Sequence, residues 1–280
     1  MRVVRDTAWK VRRHLGRGDA AVLRRLLPDH RVDEADVARL LGELEDSAEL
    51  REGLDTPDGR RWASAEELRD PEARFRKRLD LSGPGRARAL FLYVATRILA
   101  PKVVIETGCA TGWDSAVLLL ALERNGAGTL TSIDLPAREG AFSQFGADQG
   151  LPEGVPPGAM VADSLRHRWS LVLGNALLEL PPLLERVRTV DLFFHDSHHT
   201  YDHMMWEFTT AWPYLAGGGV LVSDDVSWNL AASDFARGVD RPLVIHRSSA
   251  NVVAVPRGAN DYSAVLEESR TTSLAVLPDR

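Results

Sequence analysis

Residues 102–134 read KVVIETGCATGWDSAVLLLALERNGAGTLTSID, and the fold turns on how this stretch divides. Residues 102–108 (KVVIETG) are a short apolar run ended by glycine, the pattern of a buried strand. Residues 113–128 (WDSAVLLLALERNGAG) start with polar groups and close on glycines, the punctuation of a helix. Residues 129–136 (TLTSIDLP) return to strand. A strand, a helix and a second strand in such quick succession make a parallel crossover unit.

The same alternation continues toward the C-terminus. Further strands are expected at WSLVLGNA (169–176), VDLFFHD (190–196) and GGVLVSDDV (218–226). Between the last two, YDHMMWEFTTAWPYLAGGG (201–219) places Met205, Phe208, Trp212 and Leu215 on a helix face, with its glycines ending the helix. The expected fold is α/β, a doubly wound and mostly parallel sheet over residues 86–280. Residues 1–85 are charge-rich and helical in pattern, and form an N-terminal extension. There DEADVARLLGELEDSAELREGL (33–54) aligns Val37, Leu40, Leu41 and Leu44 as a packing stripe, while TPDGRRW (56–62) and LSGPGR (81–86) supply turns. ARALFLYVATRILAP (87–101) reads as a helix stopped by Pro101.

Composition narrows the functional classes. The chain has 280 residues, a net charge of −6 and 34 basic residues, of which only Lys10, Lys77 and Lys102 are lysine. An acidic chain offers no general attraction to a phosphate backbone, which argues against nucleic acid as a partner. One cysteine, Cys109, precludes an internal disulfide framework and fits a reducing compartment. No apolar run has the length of a signal peptide or a membrane span, so a soluble cytoplasmic protein without a membrane partner is expected. A homo-oligomer is compatible with this composition.

Ligands of doubly wound sheets sit beyond the carboxyl ends of the strands, near the point where strand order reverses. The polar residues there are the candidates. Strand one ends in ETGCATGWDS, with Glu106, Thr107, Gly108, Gly112 and Ser115. Glycines here let the backbone approach a ligand, although Gly108 and Gly112 alone do not make G-x-G-x-x-G and also suit a plain tight turn. Strand two ends at Asp134, whose carboxylate can accept hydrogen bonds from both hydroxyls of a ribose or simply cap a turn.

Together, VVIETGCATGWDS and LTSIDLP resemble the first two motifs of the class I S-adenosylmethionine-dependent methyltransferases, and LVLGNALLELPPL resembles the third-strand segment bordering the adenine. The resemblance spans about residues 86–256. It implies S-adenosylmethionine as cofactor, bound by Glu106, Thr107, Gly108, Gly112 and Ser115, with the two glycines against its methionine end. It also implies Asp134 at the ribose and Asn175 near the adenine, where many members carry aspartate, with Asp196 bordering the same site.

Asp196 follows the fourth strand, and Asp224 and Asp225 follow the fifth. Neighbouring strand ends would gather three carboxylates whose mutual repulsion calls for a cation, and oxygen ligands suit Mg²⁺. A polar turn after strand five is the plainer reading of Asp224 and Asp225. The combination is similar to the metal-dependent small-molecule O-methyltransferases, in which an aspartate after strand four and an Asp-Asp, Glu-Asp or Asp-Asn pair after strand five hold Mg²⁺. Where the catechol and caffeoyl-coenzyme A branch has a basic lysine three residues past the first aspartate, this chain has His199. DSHHTYDH followed by GGGVLVSDDV resembles the antibiotic-tailoring branch, of the macrocin and macrolide-sugar type. That resemblance implies Mg²⁺-assisted methylation of a small-molecule hydroxyl, with His199 as the base.

Residues 195–203, HDSHHTYDH, hold four of the eight histidines. His199 and His203 have i, i+4 spacing, yet HTYDH lacks the glutamate of a zinc H-E-x-x-H helix. His195 alternates away from Asp196 and is expected in the core, and His198 and His203 are expected on a solvated or substrate-lining surface. The connection over residues 136–168 is long enough for a lid, with Phe142, Phe145 and Met160, and Trp113 and Trp228 are candidates for the same mouth. Two other classes use the same residues: a metal-dependent hydrolase, and a nucleoside-cofactor-binding protein without catalysis.

Overall fold

The structure is a computed structural model that describes residues 14–15, 18–136, 151 and 154–258. Eight strands among them form one sheet: β1 (His14–Leu15), β2 (Val103–Thr107), β3 (Thr129–Asp134), β4 (Trp169–Leu173), β5 (Val190–His195), β6 (Leu215–Ser223), β7 (Val244–His246) and β8 (Ser249–Pro256). Their order is β1-β7-β8-β6-β5-β2-β3-β4. All neighbouring pairs are parallel except β6·β8 and β7·β8. The five strands expected from the sequence are present. The antiparallel hairpin β7–β8 and the short β1 extend the sheet beyond them.

Eleven α-helices are described: α1 (Asp19–Leu26), α2 (Glu34–Glu45), α3 (Ala48–Asp55), α4 (Pro57–Arg61), α5 (Pro71–Leu79), α6 (Gly85–Arg88), α7 (Ala95–Leu99), α8 (Trp113–Asn125), α9 (Ala176–Val187), α10 (Tyr201–Ala211) and α11 (Ala231–Gly238). A π-helical segment, Ala89–Val94, joins α6 to α7 as one helical run before Ala100 takes a left-handed conformation ahead of Pro101. The helical pattern over 33–54 divides in two, because Ser47 accepts a hydrogen bond from the Leu50 N–H and starts α3 afresh. The helix after β5 ends at Ala211, before the turn that holds Pro213, so the glycines 217–219 lie inside β6 and do not terminate the helix as expected.

Side chains of a strand point alternately to the two faces of the sheet, and this chain fills both. Val104, Leu130, Leu192, Phe194, Val220 and Val222 join a core with α8, the π-helical segment and the N-terminal helices. Ile105, Ile133, Phe193 and Leu221 join a second core with α9, α10 and α11. The stripe of α2 (Val37, Leu40, Leu41, Leu44) is buried in the first. Strands covered on both sides need continuous apolar runs, which is why they were legible as short hydrophobic blocks.

This layering also sorts the polar residues at the strand ends. Glu106 shares a face with Val104 and looks toward α8, whereas Thr107 and His195 share a face with Ile105 and Phe193 and look toward α10.

Candidate active site

Strand order reverses at β2, which lies between β3 and β5. The register sets Thr107 opposite both Ile133 and His195, and His195 opposite Ser223. Backbone bonds carry the ladder one residue further: Gly108 N donates to Ile133 O (2.8 Å), Asp196 N to Thr107 O (2.8 Å) and Asp224 N to His195 O (3.0 Å). Gly108, Asp134, Asp196 and Asp224 therefore leave the sheet along one edge, from backbone that is already fixed.

The residues of the first turn divide between the floor and the surface of this edge. Glu106, Thr107 and Ser115 are buried. Glu106 accepts hydrogen bonds from Ser115 (2.6 Å) and from Ser132, and its other carboxylate oxygen has no partner among the described residues. Burial pushes its pKa up to about 8 against the help of the two hydroxyls. Gly108 and Gly112 both have positive φ, +79° and +84°. A side chain at Gly108 would meet the backbone of Asp196 at 2.2 Å, and one at Gly112 would meet Gly158 at 2.6 Å. Close approach of the chain's own backbone thus accounts for both glycines.

Asp134 stands at the turn itself. One carboxylate oxygen accepts the N–H groups of Cys109 (2.8 Å) and Ala110 (2.7 Å), and the other accepts that of Leu135 (2.7 Å). It clamps the glycine turn to the end of β3 while remaining half-buried. Asn175 is exposed and caps α9 through the Leu177 N–H (3.0 Å).

The acidic residues beyond β5 and β6 surround a cation supplied by the protein. Arg88, at the end of α6, forms ion pairs with both Asp224 and Asp114. Burial opposes its charge, but the carboxylates of Asp114, Asp196 and Asp225 raise its pKa above the ordinary guanidinium value. Asp114 is held up by burial despite that contact. Asp225 adopts a left-handed conformation (φ +49°) and its carboxylate accepts a hydrogen bond from Asn251 on β8. Among the described residues no three His, Cys, Asp or Glu side chains converge closely enough to hold a metal ion.

The histidine run separates into two sets. His195 is wholly buried, with Nδ1 2.6 Å from Glu207 Oε2 and its ring edge-on to Phe208. Glu207 also accepts from Thr107 Oγ1 (2.5 Å) and Ser197 Oγ (2.8 Å), and lies 2.9 Å from His203 Nε2. Burial works against the charge of Glu207, yet His195, His203 and Thr107 hold its pKa well below the usual carboxylate range. His203, expected on a solvated or substrate-lining surface, belongs to this buried network. His199 stands apart. Its Nε2 lies 3.5 Å from Asp196 Oδ1, makes no hydrogen bond among the described residues, and its ring packs between His195 (5.2 Å) and Trp228 (5.5 Å). His198 lies edge-on to His203, and burial with the neighbouring histidines lowers its pKa.

Four residues of this edge went unassigned from sequence: Arg88, Asp114, Glu207 and Asn251. Asp114 lies inside the first-turn motif, and His203 to Glu207 is an i, i+4 pair on one helix, so both carried a local signal. Arg88 and Asn251 carried none. Of the proposed lid, Phe142 and Phe145 fall outside the described residues, Met160 is buried in the core, and Trp228 is exposed.

Residues 105–226 match the model of a family described as a methyltransferase domain. No curated protein matches the chain by sequence. Among solved structures, CalS11, a calicheamicin methyltransferase, is similar with a TM-score of 0.50 at 17% identity, over 82% of this chain and 96% of that one. An O-methyltransferase from Bacillus cereus, solved in complex with SAH, gives 0.46 at 15% identity over 79% and 97%. At 17% identity the likeness to CalS11 concerns the fold. The matched residues 105–226 contain the reversal of strand order at β2 and the Asp134-clamped turn, so this part of the chain is similar to a methyltransferase domain.

Proposed function

We propose that the chain methylates a hydroxyl group of a small molecule, with S-adenosylmethionine as donor, Mg²⁺ as helper and His199 as the proton acceptor. The observation that carries this reading is the pairing of His199 with Asp196 at the same edge as Asp224 and Asp225. His199 Nε2, which faces Asp196 Oδ1 at 3.5 Å, has no hydrogen-bond partner among the described residues, and the ring packs between His195 and Trp228. That nitrogen can take a proton from an acceptor hydroxyl, and Asp196 stabilises the charge that results. The glycine turn and Asp134 would hold the cofactor, and the loop after β5 would bring His199 to the methyl group's path. Positioning of this kind supplies much of the rate in a displacement reaction.

The donor set suits Mg²⁺ in chemistry more than in arrangement. Asp114, Asp196, Asp224 and Asp225 exceed the charge of Arg88, and one oxygen of Asp224 is buried without a partner among the described residues. Asp196, Asp224 and Asp225 would hold the ion once Arg88 releases Asp224 and Asn251 releases Asp225. Bound there, Mg²⁺ would lower the pKa of a ligated hydroxyl.

The test is methyl transfer to a panel of phenolic and sugar hydroxyls, before and after exhaustive chelation. Chelation should abolish transfer and Mg²⁺ restore it, while binding of S-adenosylhomocysteine persists. His199→Ala should lose on the order of 10²–10⁴ in rate with cofactor affinity kept. Full activity after chelation would make the carboxylates structural, and a variant retaining a third of the rate would remove His199 as base.

A further inference from the structure

Beside the strand-end edge lies a cavity of about 420 Å³ between the N-terminal helices and the start of α8. Its size falls within the range of small-molecule sites. Arg88 belongs both to its wall and to the edge described above, so a ligand in the cavity abuts the carboxylate cluster.

The lining is cationic in a chain that is acidic overall. Lys77 is neutralised by Glu67 (2.8 Å), and Arg88 by Asp114 and Asp224. Arg74 spends its guanidinium on two backbone carbonyls, Leu54 O (2.8 Å) and Gly59 O (2.7 Å), and has no carboxylate partner among the described residues. Arg78 makes no hydrogen bond or ion pair among the described residues. The residue is exposed along the cavity wall, and its guanidinium lies 5.7 Å from the Trp113 ring centroid. Against these two cations the cavity wall sets Asp80, and the carboxylates of Asp114 and Glu67 act on Arg78 from beyond hydrogen-bonding distance. Two indoles, Trp62 and Trp113, supply flat apolar surface. A guanidinium with free donors beside aromatic faces is the arrangement that recognises a carboxylate or phosphate on a ring-bearing molecule.

We infer that this cavity receives the methyl acceptor, and that the acceptor carries an anionic group, carboxylate or phosphate, held by Arg78 while its ring lies against the indoles. This rests on the methyl-transfer reading above. The N-terminal helices thereby become the specificity element of the enzyme.

Calorimetry tests it on the full chain. S-adenosylhomocysteine is titrated first, and failure to bind would defeat the functional reading itself. On the saturated protein, 3,4-dihydroxybenzoate is compared with catechol, and UDP-glucose with glucose. At least one anionic probe should bind about tenfold or more tighter than its neutral counterpart; the benzoate identifies a carboxylate site and the nucleotide sugar a phosphate site. Arg78→Met and Arg78→Gln should both erase that preference with melting temperature and S-adenosylhomocysteine affinity unchanged. The inference falls if neither anionic probe is preferred, if the preference survives in both variants, or if the probes bind only without S-adenosylhomocysteine, which would assign the cavity to the cofactor.

Discussion

Glu207 on α10 and His195 at the end of β5 meet beneath the active-site edge, Oε2 to Nδ1 at 2.6 Å, and neither side chain reaches solvent. The same carboxylate gathers Thr107 from β2, Ser197 from the following loop and His203 from its own helix. One buried charge therefore fixes the ends of two adjacent strands and the loop that carries Asp196 and His199. Its cost is offset only while every partner is in place.

Removing that carboxylate should be expensive. Glu207→Ala leaves His195, Thr107 and Ser197 with buried polar atoms that lose their acceptor, and breaking a buried pair costs about 3–5 kcal/mol. Urea denaturation should show a loss on this scale, and Glu207→Gln, which keeps an acceptor oxygen, should lose less. A loss under about 1 kcal/mol in the alanine variant, the level of a single ordinary hydrogen bond, would mean that the network is dispensable.

Asp134 has one role in the structure and a second proposed for it, and substitutions can separate the two. Its carboxylate clamps the N–H groups of Cys109 and Ala110, and the ribose assignment asks it to bind the cofactor as well. Asp134→Ala should weaken S-adenosylhomocysteine binding by about 1.5–3 kcal/mol, the scale for hydrogen bonds to a charged group. Asp134→Asn, which preserves one acceptor for the turn, should recover thermal stability without recovering affinity. Parental affinity in the alanine variant would take Asp134 out of the site.

Glu106 should give stability a particular pH dependence. Burial raises its folded pKa to about 8 from the ordinary glutamate value of 4.5, so the native state binds the extra proton between those values. Stability from this group is fully present below about pH 4.5 and is lost as pH rises toward 8, with a slope of up to about 1.4 kcal/mol per pH unit for one proton. Denaturant titrations of the parent and Glu106→Gln at pH 5, 6.5 and 8 should show the variant gaining relative stability as pH rises. Parallel curves would show that the carboxyl is ionised in both states.

Asp19 ties the N-terminal extension to the sheet. It meets His246 of β7 at 2.9 Å and forms an ion pair with Arg86 of α6. The His246 hydrogen bond, opposed by burial and aided by Arg86, lowers its pKa to about 2. A depressed carboxylate stabilises above its unfolded pKa near 3.8 and loses that contribution as pH falls toward 2. Asp19→Asn should therefore cost about 2 kcal/mol at pH 7 and leave S-adenosylhomocysteine affinity unchanged. A neutral effect in urea would show that the apolar face of α1 alone docks the extension.

Much of the architecture is written locally. Alternating apolar runs and glycine-bounded helices define β2 to β6, and a parallel crossover has one favoured hand, so the positions of Asp134, Asp196, Asp224 and Asp225 at one edge follow from the order of residues alone. His195 was legible as a core residue because alternation along VDLFFHD turns it away from Asp196. What only the tertiary structure decided are the contacts between distant segments. Arg88 enters the carboxylate cluster from a helix that precedes the first core strand, and Asn251 reaches Asp225 from β8, the antiparallel strand beside β6. Thr107 finds Glu207 a hundred positions away. The glycines of the first turn are required by the backbones of Asp196 and Gly158, which the turn cannot reveal by itself. Periodicity and turn chemistry report a residue's own conformation and the face it presents. Which charge meets it there depends on how whole layers pack, and that information is spread over every element in the core.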